Sequence, residues 1–273
     1  MSRDIIYLQK KAKALRLSVL EMIYNAQSGH LGGSFSMMDV LTALYFDEMN
    51  IDPKNPKDPD RDRFVLSKGH TAPAIYAVLA EAGFYPKDWL MTSFRGINSK
   101  LQGHPDMKKT PGIEMTSGSL GIGFSAAVGM ALGGRMQKKD FKVYCMIGDG
   151  EINEGQIWEA AATASHFNLD NVIAFVDLNG LQNDNKTSIV KDMGNVPAKF
   201  ESFGFNVQEI DGHNFEEIFT AIDKAKKSEG KPSLIVLHTV KGKGVSFMEN
   251  VVYWHGKTPS EAEYLAAKAE LAE

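Results

Sequence analysis

The sequence predicts an α/β fold, a mostly parallel sheet with helices on both faces. Three observations carry this. Short apolar runs alternate with segments of helical length and spacing through the second half of the chain. Those runs are continuously apolar, not alternating, as strands buried on both sides must be. Finally, 43% of the 273 residues are hydrophobic, enough for one large core.

Residues 3–28 carry Ile5, Leu8, Ala12, Leu15, Val19, Met22 and Ile23 at helical spacing. Gly29 ends that segment in the manner of a helix C-terminus. Residues 36–50 predict a second helix, closed by the polar, Pro-rich loop 52–62. Residues 64–66 predict a short strand and 71–83 a small-residue helix. Residues 98–123 are rich in Gly, Pro and Ser and predict a long loop, a common seat of function. The helix predicted over 124–136 is so rich in Ala and Gly that it must pack closely on a neighbour. Strands are predicted over 141–147, 172–177, 206–210 and 233–239. Helices are predicted over 155–167, 196–203 and 214–228. There is no internal repeat and no low-complexity linker, so residues 1–273 read as one domain with a helical tail after Pro259.

The net charge of -4, with basic residues scattered as Lys138-Lys139, Lys226-Lys227, Lys241 and Lys243, argues against a nucleic-acid partner. The lone Cys145 lies in the apolar run 141–147 and reads as a small buried residue; one cysteine forms no intrachain disulfide. Residues 1–20 are charged and amphipathic, unlike a signal peptide. No stretch approaches the roughly 20 apolar residues of a membrane span. The expectation is a soluble, cytoplasmic protein.

In a parallel sheet, ligands bind beyond the carboxyl ends of the strands. Two predicted strand ends are loaded with chemistry: Gly148-Asp149-Gly150-Glu151, and Asp177-Leu178-Asn179-Gly180-Leu181. Glycines around Asp149 let the backbone approach an anion and offer N–H donors. Asn179 follows about thirty residues on, the length of one strand–helix–strand unit, so the two tips can meet. A carboxylate, an amide oxygen and a backbone carbonyl, completed by phosphate oxygens and water, form an oxygen shell suited to magnesium. Gly-Asp-Gly alone is equally a turn; its combination with Glu154-Gly155 and a second polar strand end gives the chemical reading its weight.

The stretch from Gly148-Asp149-Gly150 to Asn179 resembles the thiamine diphosphate signature. Ser28-Gly29-His30-Leu31-Gly32-Gly33, Ser67-Lys68-Gly69-His70, Gly103-His104-Pro105-Asp106 and Thr116-Ser117-Gly118-Ser119-Leu120-Gly121-Ile122-Gly123 resemble, in order, four transketolase motifs. Trp254-His255-Gly256 follows in the expected place, so four of the seven histidines fall on family positions. Each histidine taken singly reads as a capping or packing group; the set does not.

The resemblance implies the thiamine-diphosphate-binding fold and transfer of a two-carbon ketol unit from a ketose phosphate to an aldose phosphate. It implies Asp149, Asn179 and the Leu181 carbonyl as ligands of Mg2+ (or Ca2+ or Mn2+). His70 and the Gly150 backbone would bind the diphosphate, and Gly118 and Leu120 would face the aminopyrimidine. His30 and His104 would contact donor hydroxyls, His255 would assist proton transfer, and Glu154 would sit at a subunit interface. Imidazoles suit proton transfer near neutral pH in both directions.

The family's pyrimidine-binding domain has no counterpart here, and whole transketolases are more than twice this long. The start at Met1 and the helical tail 260–272 favour a split enzyme over a fragment. The expected partner is a C-terminal transketolase subunit carrying the pyrimidine-binding domain, in a heterotetramer of two of each. Two positions depart from the family. Asn183 stands where an aliphatic residue is usual, near the cofactor rings, and a buried amide there needs partners. Ser119 stands where Pro is common. Both bear on the substrate, so a modified sugar (deoxy, sulfo or branched) is the alternative. The alpha subunit of a 2-oxoacid dehydrogenase shares the signature but lacks the Gly-His-Leu-Gly and Gly-His-Pro-Asp loops. Another rival, 1-deoxyxylulose-5-phosphate synthase, is one long chain with different loops. A non-catalytic partner subunit would not need the full set of site residues.

Overall fold

A computed structural model describes residues 3–272; Met1, on which the two-chain expectation draws, lies outside the described residues. The first helix, α1 (Ile5–Ala26), is capped by Asp4, whose carboxylate accepts from the Tyr7 N–H at 2.9 Å. Then the chain departs from the expected helix over 36–50. It forms α2 (Gly32–Ser36), α3 (Met38–Ala43) and a wide π turn, Leu44–Glu48. Tertiary packing sets the early start. A Cβ on Gly32 would lie 2.8 Å from the Lys241 side chain, and one on Gly33 would lie 2.9 Å from that of Thr71. Ser36 turns its hydroxyl to Asp177 at 2.6 Å, and Met37 leaves helical geometry.

Strand β1 (Arg63–Leu66) leads to α4 (Ala72–Ala82), which stops at Gly83 in the left-handed region. A single turn, α5 (Trp89–Thr92), precedes the long loop. The remaining order is α6 (Ile122–Met136), β2 (Val143–Gly148), α7 (Gly155–His166), β3 (Val172–Leu178), α8 (Thr187–Val190), α9 (Val196–Ser202), β4 (Asn206–Asp211), α10 (Phe215–Lys226), β5 (Ser233–His238) and α11 (Glu261–Ala272). Apart from α5 and α8, which no pattern announces, these elements follow the sequence reading to within two residues at most ends.

All four strand pairings are parallel, in the order β1-β2-β3-β5-β4. Alternate residues of each inner strand enter opposite cores. Tyr144, Met146, Ile173, Phe175, Ile235 and Leu237 pack beneath α1, α3, α4 and α10. Val143, Cys145, Ile147, Val172, Ala174 and Val176 pack beneath α6, α7 and α9. Both sides of these strands are covered, which is why they read as continuous apolar runs. Cys145 is buried, as expected. The strand β4 departs from the rule: it lies at the sheet edge, and none of its residues is fully buried. The tail helix α11 docks on α1, with Tyr264 stacked on Tyr24 at 4.0 Å.

Helix α6 bears out the close packing asked of its small residues, but at its ends. A Cβ on Gly123 would lie 2.5 Å from the Ser67 Cα, and one on Gly134 would lie 2.6 Å from the Phe141 ring. Gly129 and Gly133 face open space. The contact at Gly123 brings the start of α6 to the carboxyl end of β1, where the Ser67 hydroxyl accepts from the Phe124 N–H at 3.0 Å.

Candidate active site

The carboxyl ends of β1, β2, β3 and β5 open on one cavity of about 220 Å3. Its wall includes Asp149, Gly150, Asn179, Leu181, His70, Leu120 and His255 from the expected set. A larger, more open recess of about 520 Å3 beside residues 186–197 holds none of them. The smaller cavity is the candidate site because the chemistry converges there.

Asp149 is buried and joins two strand ends. Its Oδ1 accepts from the Gly150 N–H and its Oδ2 from the Gly180 N–H, both at 2.8 Å. The Thr187 hydroxyl reaches Oδ2 at 3.3 Å. Burial, with the Asp177 carboxylate nearby, pushes the Asp149 pKa up to about 6. Such a carboxylate gains from a cation. Asn179 accepts from the Leu181 N–H at 3.2 Å and donates to Asp177 at 3.3 Å, so its amide is oriented from below. The Leu181 carbonyl accepts from the Lys241 ammonium at 3.1 Å, so the oxygen expected to face a metal already faces a positive charge.

Beneath these groups lies a buried ion pair that the sequence reading passed over. Asp177 is 0% exposed and is held by Lys68, the Ser36 and Thr239 hydroxyls and the Asn179 amide. Burial alone would raise its pKa; the Lys68 ammonium outweighs that and holds it below the carboxylate range. Lys68 also donates to the Gly33 carbonyl at 3.0 Å, tying the first Gly-rich loop to the strand ends. Glu151 is a second missed residue. Its carboxylate accepts from the Ser67 hydroxyl, from the Gly121 N–H at 2.7 Å and from the Gly148 N–H at 3.0 Å. Lys68 and Glu151 each lie within two residues of a more conspicuous group, His70 and Asp149, and that adjacency was the signal that could have found them.

Three of the four motif histidines come together, and one stands apart. The rings of His30, His70 and His255 form a triangle with centroids 5.2, 5.3 and 5.5 Å apart. His104 stands outside it, against Gly118: a Cβ there would lie 3.4 Å from the His104 ring. Burial first, then neighbouring cations, pushes His30 down to about 4 and His255 to about 3. His70 is lowered to about 2 by burial and Lys68, and His104 is lowered by burial and Arg95. Burial and neighbouring charge thus favour the neutral form of these rings. After burial the cause is the Lys and Arg charge around them, and a bound anion would offset that field. Lys241 lies 2.8 Å from His255 Nδ1, an arrangement that places the proton of the neutral ring on Nε2.

Glu154 does not line the cavity. It is exposed at the start of α7, beside Gly121. Asn183, expected as a buried amide near the cofactor rings, lines the cavity but is exposed, and its amide donates to Asp184 at 2.8 Å. It stands in the turn 181–186, closed by a bridge between Leu181 and Lys186.

Residues 8–272 match the family described as transketolase, thiamine diphosphate binding domain. The chain is 49% identical over 271 residues to the 6-deoxy-6-sulfo-D-fructose transketolase subunit SqwG of Clostridium sp. (strain MSTE9), covering 99% of this chain and 98% of that one. It is 40% identical to a subunit of the apulose-4-phosphate transketolase of Phocaeicola vulgatus, covering 100% of this chain and 96% of that one. Transketolase from Campylobacter jejuni superimposes with a TM-score of 0.93 at 35% identity, over 99% of this chain and 43% of that one. The sheet, the strand-end cavity and these likenesses agree: the chain belongs to the transketolase family and is its thiamine diphosphate binding domain.

Proposed function

We propose that the chain is the diphosphate-holding subunit of a two-chain transketolase and works with a separate chain that carries the pyrimidine-binding domain. The observation that carries the reading is the cavity itself, where Asp149, Asn179 and the Leu181 carbonyl meet His70 and Lys241 at four strand ends. The donor set suits a hard divalent cation such as Mg2+: one carboxylate, one amide oxygen and one carbonyl oxygen, with diphosphate oxygens to complete the shell. His70 is the group proposed to hold the diphosphate, with the Gly150 backbone facing it, and with Leu120, and Gly118 beside His104, toward the aminopyrimidine. When bound, thiamine diphosphate supplies the carbon nucleophile and the electron sink for ketol transfer.

The chain's own part is to bind, orient and move protons. His30 and His104 are proposed to hold donor hydroxyls. His255, with its proton on Nε2 and Lys241 on Nδ1, is proposed to exchange a proton with a substrate oxygen. Exposed apolar side chains on loops and helix starts, among them Ile122, Ile189, Val190, Val251 and Tyr253, suit burial by a partner domain. Glu154, exposed beside that region, suits an interface carboxylate. A heterotetramer of two of each chain fits this arrangement. Relatives named as subunits match over nearly their full lengths, which supports the two-chain reading.

The greater identity to a relative named for a sulfo-sugar favours a modified ketose as donor over the common pentose phosphates. The test is ketol transfer to an aldose phosphate by the chain co-purified with a chain carrying the pyrimidine-binding domain, with Mg2+ and thiamine diphosphate. Xylulose 5-phosphate and 6-deoxy-6-sulfo-D-fructose would be compared as donors. Turnover by the pair, absent in either chain alone and faster with the sulfo-sugar, is expected. Turnover by this chain alone would overturn the two-chain reading, and a preference for xylulose 5-phosphate would overturn the modified donor.

A further inference from the structure

A cavity that holds a diphosphate must present donors that are free to turn toward it. Several donors in this one are already spent. The Gly150 N–H is on Asp149. The Gly148 N–H is on Glu151. The Lys68 ammonium is on Asp177 and the Gly33 carbonyl.

Gln182 is different. Its Nε2 is buried and has no hydrogen-bond partner. Its side chain lies on Gly150: a Cβ there would be 3.3 Å from Gln182 Cγ and 3.4 Å from Cδ. Its backbone is pinned at both ends, the N–H donating to the Asn185 carbonyl at 2.9 Å and the carbonyl accepting from Lys241 at 3.2 Å. The side chain is therefore presented to the cavity by a fixed turn, next to the glycine expected to face phosphate. A buried, unpartnered amide is costly unless a ligand completes it.

We propose that Gln182 is a cofactor-binding residue: its carboxamide N–H donates to an oxygen of the bound diphosphate. The inference rests on the reading of this cavity as a magnesium diphosphate site. The neighbouring amide, Asn183, is spent on Asp184.

The test is calorimetric binding of inorganic diphosphate, with saturating Mg2+, to the full chain. Gln182→Met keeps the packing on Gly150 and removes the donor. Gln182→Glu keeps the shape and replaces the donor with a carboxylate. We expect Gln182→Met to weaken binding about 10- to 100-fold, the range for a hydrogen bond to a charged group, and Gln182→Glu to weaken it further. Thermal melting in the absence of diphosphate should be unchanged. Wild-type affinity in either variant would overturn the inference and leave the site intact. If the wild type and Asp149→Ala both fail to bind magnesium diphosphate, the reading of the cavity fails, and the inference with it.

Discussion

Two buried clusters of charge sit in this chain, and they differ in how completely they are satisfied. In the first, Arg16 donates to Asp39 at 2.6 and 3.0 Å and to the Phe35 carbonyl at 3.0 Å. His213 completes it, with Nδ1 on Asp39 at 2.7 Å and Nε2 accepting from the Val240 N–H at 2.9 Å. That cluster is closed. The second lies at the strand ends. Its lower layer, Lys68 and Asp177, is paired, but its upper layer is not: His30 Nδ1 and Gln182 Nε2 have no partner, and Asp149 has its pKa raised by burial and Asp177. Closure marks a cluster that holds helices together. Incompleteness above a closed layer marks one that holds something else.

Substitutions can break that contrast. The largest effect is expected at Lys68→Met, which strands Asp177 without a countercharge. Removing one partner of a buried pair costs about 3–5 kcal/mol. Here the loss of stability in urea should come with loss of cofactor binding, because Asp177 orients Asn179. A variant that melts early but binds normally would separate the two layers.

Next comes Asp39→Asn in the closed cluster, expected to cost about 3 kcal/mol at pH 7 while leaving magnesium diphosphate affinity within a few-fold. Its pH dependence has a definite sign. Burial would raise the Asp39 pKa, but Arg16 and His213 prevail and hold it below the usual 3.8. A depressed carboxylate contributes stability above its unfolded pKa and loses it as pH falls through the folded value. The wild type should therefore lose this stability below pH 3.8, and Asp39→Asn should show a shallower acid limb in denaturation curves.

The smallest effect on the fold is expected at Asp149→Ala. Binding of magnesium diphosphate should fall about 100-fold or more, equivalent to about 2.7 kcal/mol. Stability should change by about 1–2 kcal/mol: the Gly150 and Gly180 N–H groups lose their acceptor, while a buried carboxylate with no countercharge of its own is removed. A large drop in melting temperature would show that Asp149 serves the fold as Asp39 does.

Much of this was legible in the sequence, for identifiable reasons. The inner strands announced themselves because both their faces are buried. Asp149 and Asn179 stood out because each follows an apolar run and adjoins a glycine. His30, His70 and His255 stood out as histidines in Gly-rich loops. What stayed hidden depends on tertiary contact. Lys68 and Asp177 are far apart along the chain and look like ordinary polar strand ends until the sheet pairs them. The helix expected over 36–50 breaks because Gly32, Gly33 and Ser36 answer to Lys241, Thr71 and Asp177, none of which is local. Gln182 stayed hidden because only the fold lays its side chain on Gly150, and the exposure of Asn183 in the turn closed by Leu181 and Lys186 is likewise a tertiary outcome. The protonation of these rings was not legible either: charge and burial set it, and neither is a property of the motif.

The Glu151 carboxylate draws Ser67, Gly121 and Gly148 to one point, and so fixes three loops against one another. Loops bolted in this way have little freedom to drift as a lineage explores new sugars, because shifting one displaces the other two. The side chains of residues 183–186, beyond Leu181 and Gln182, carry no such bolt. A descendant that changed its donor would find its variation there, while the floor beneath the diphosphate stayed as it is.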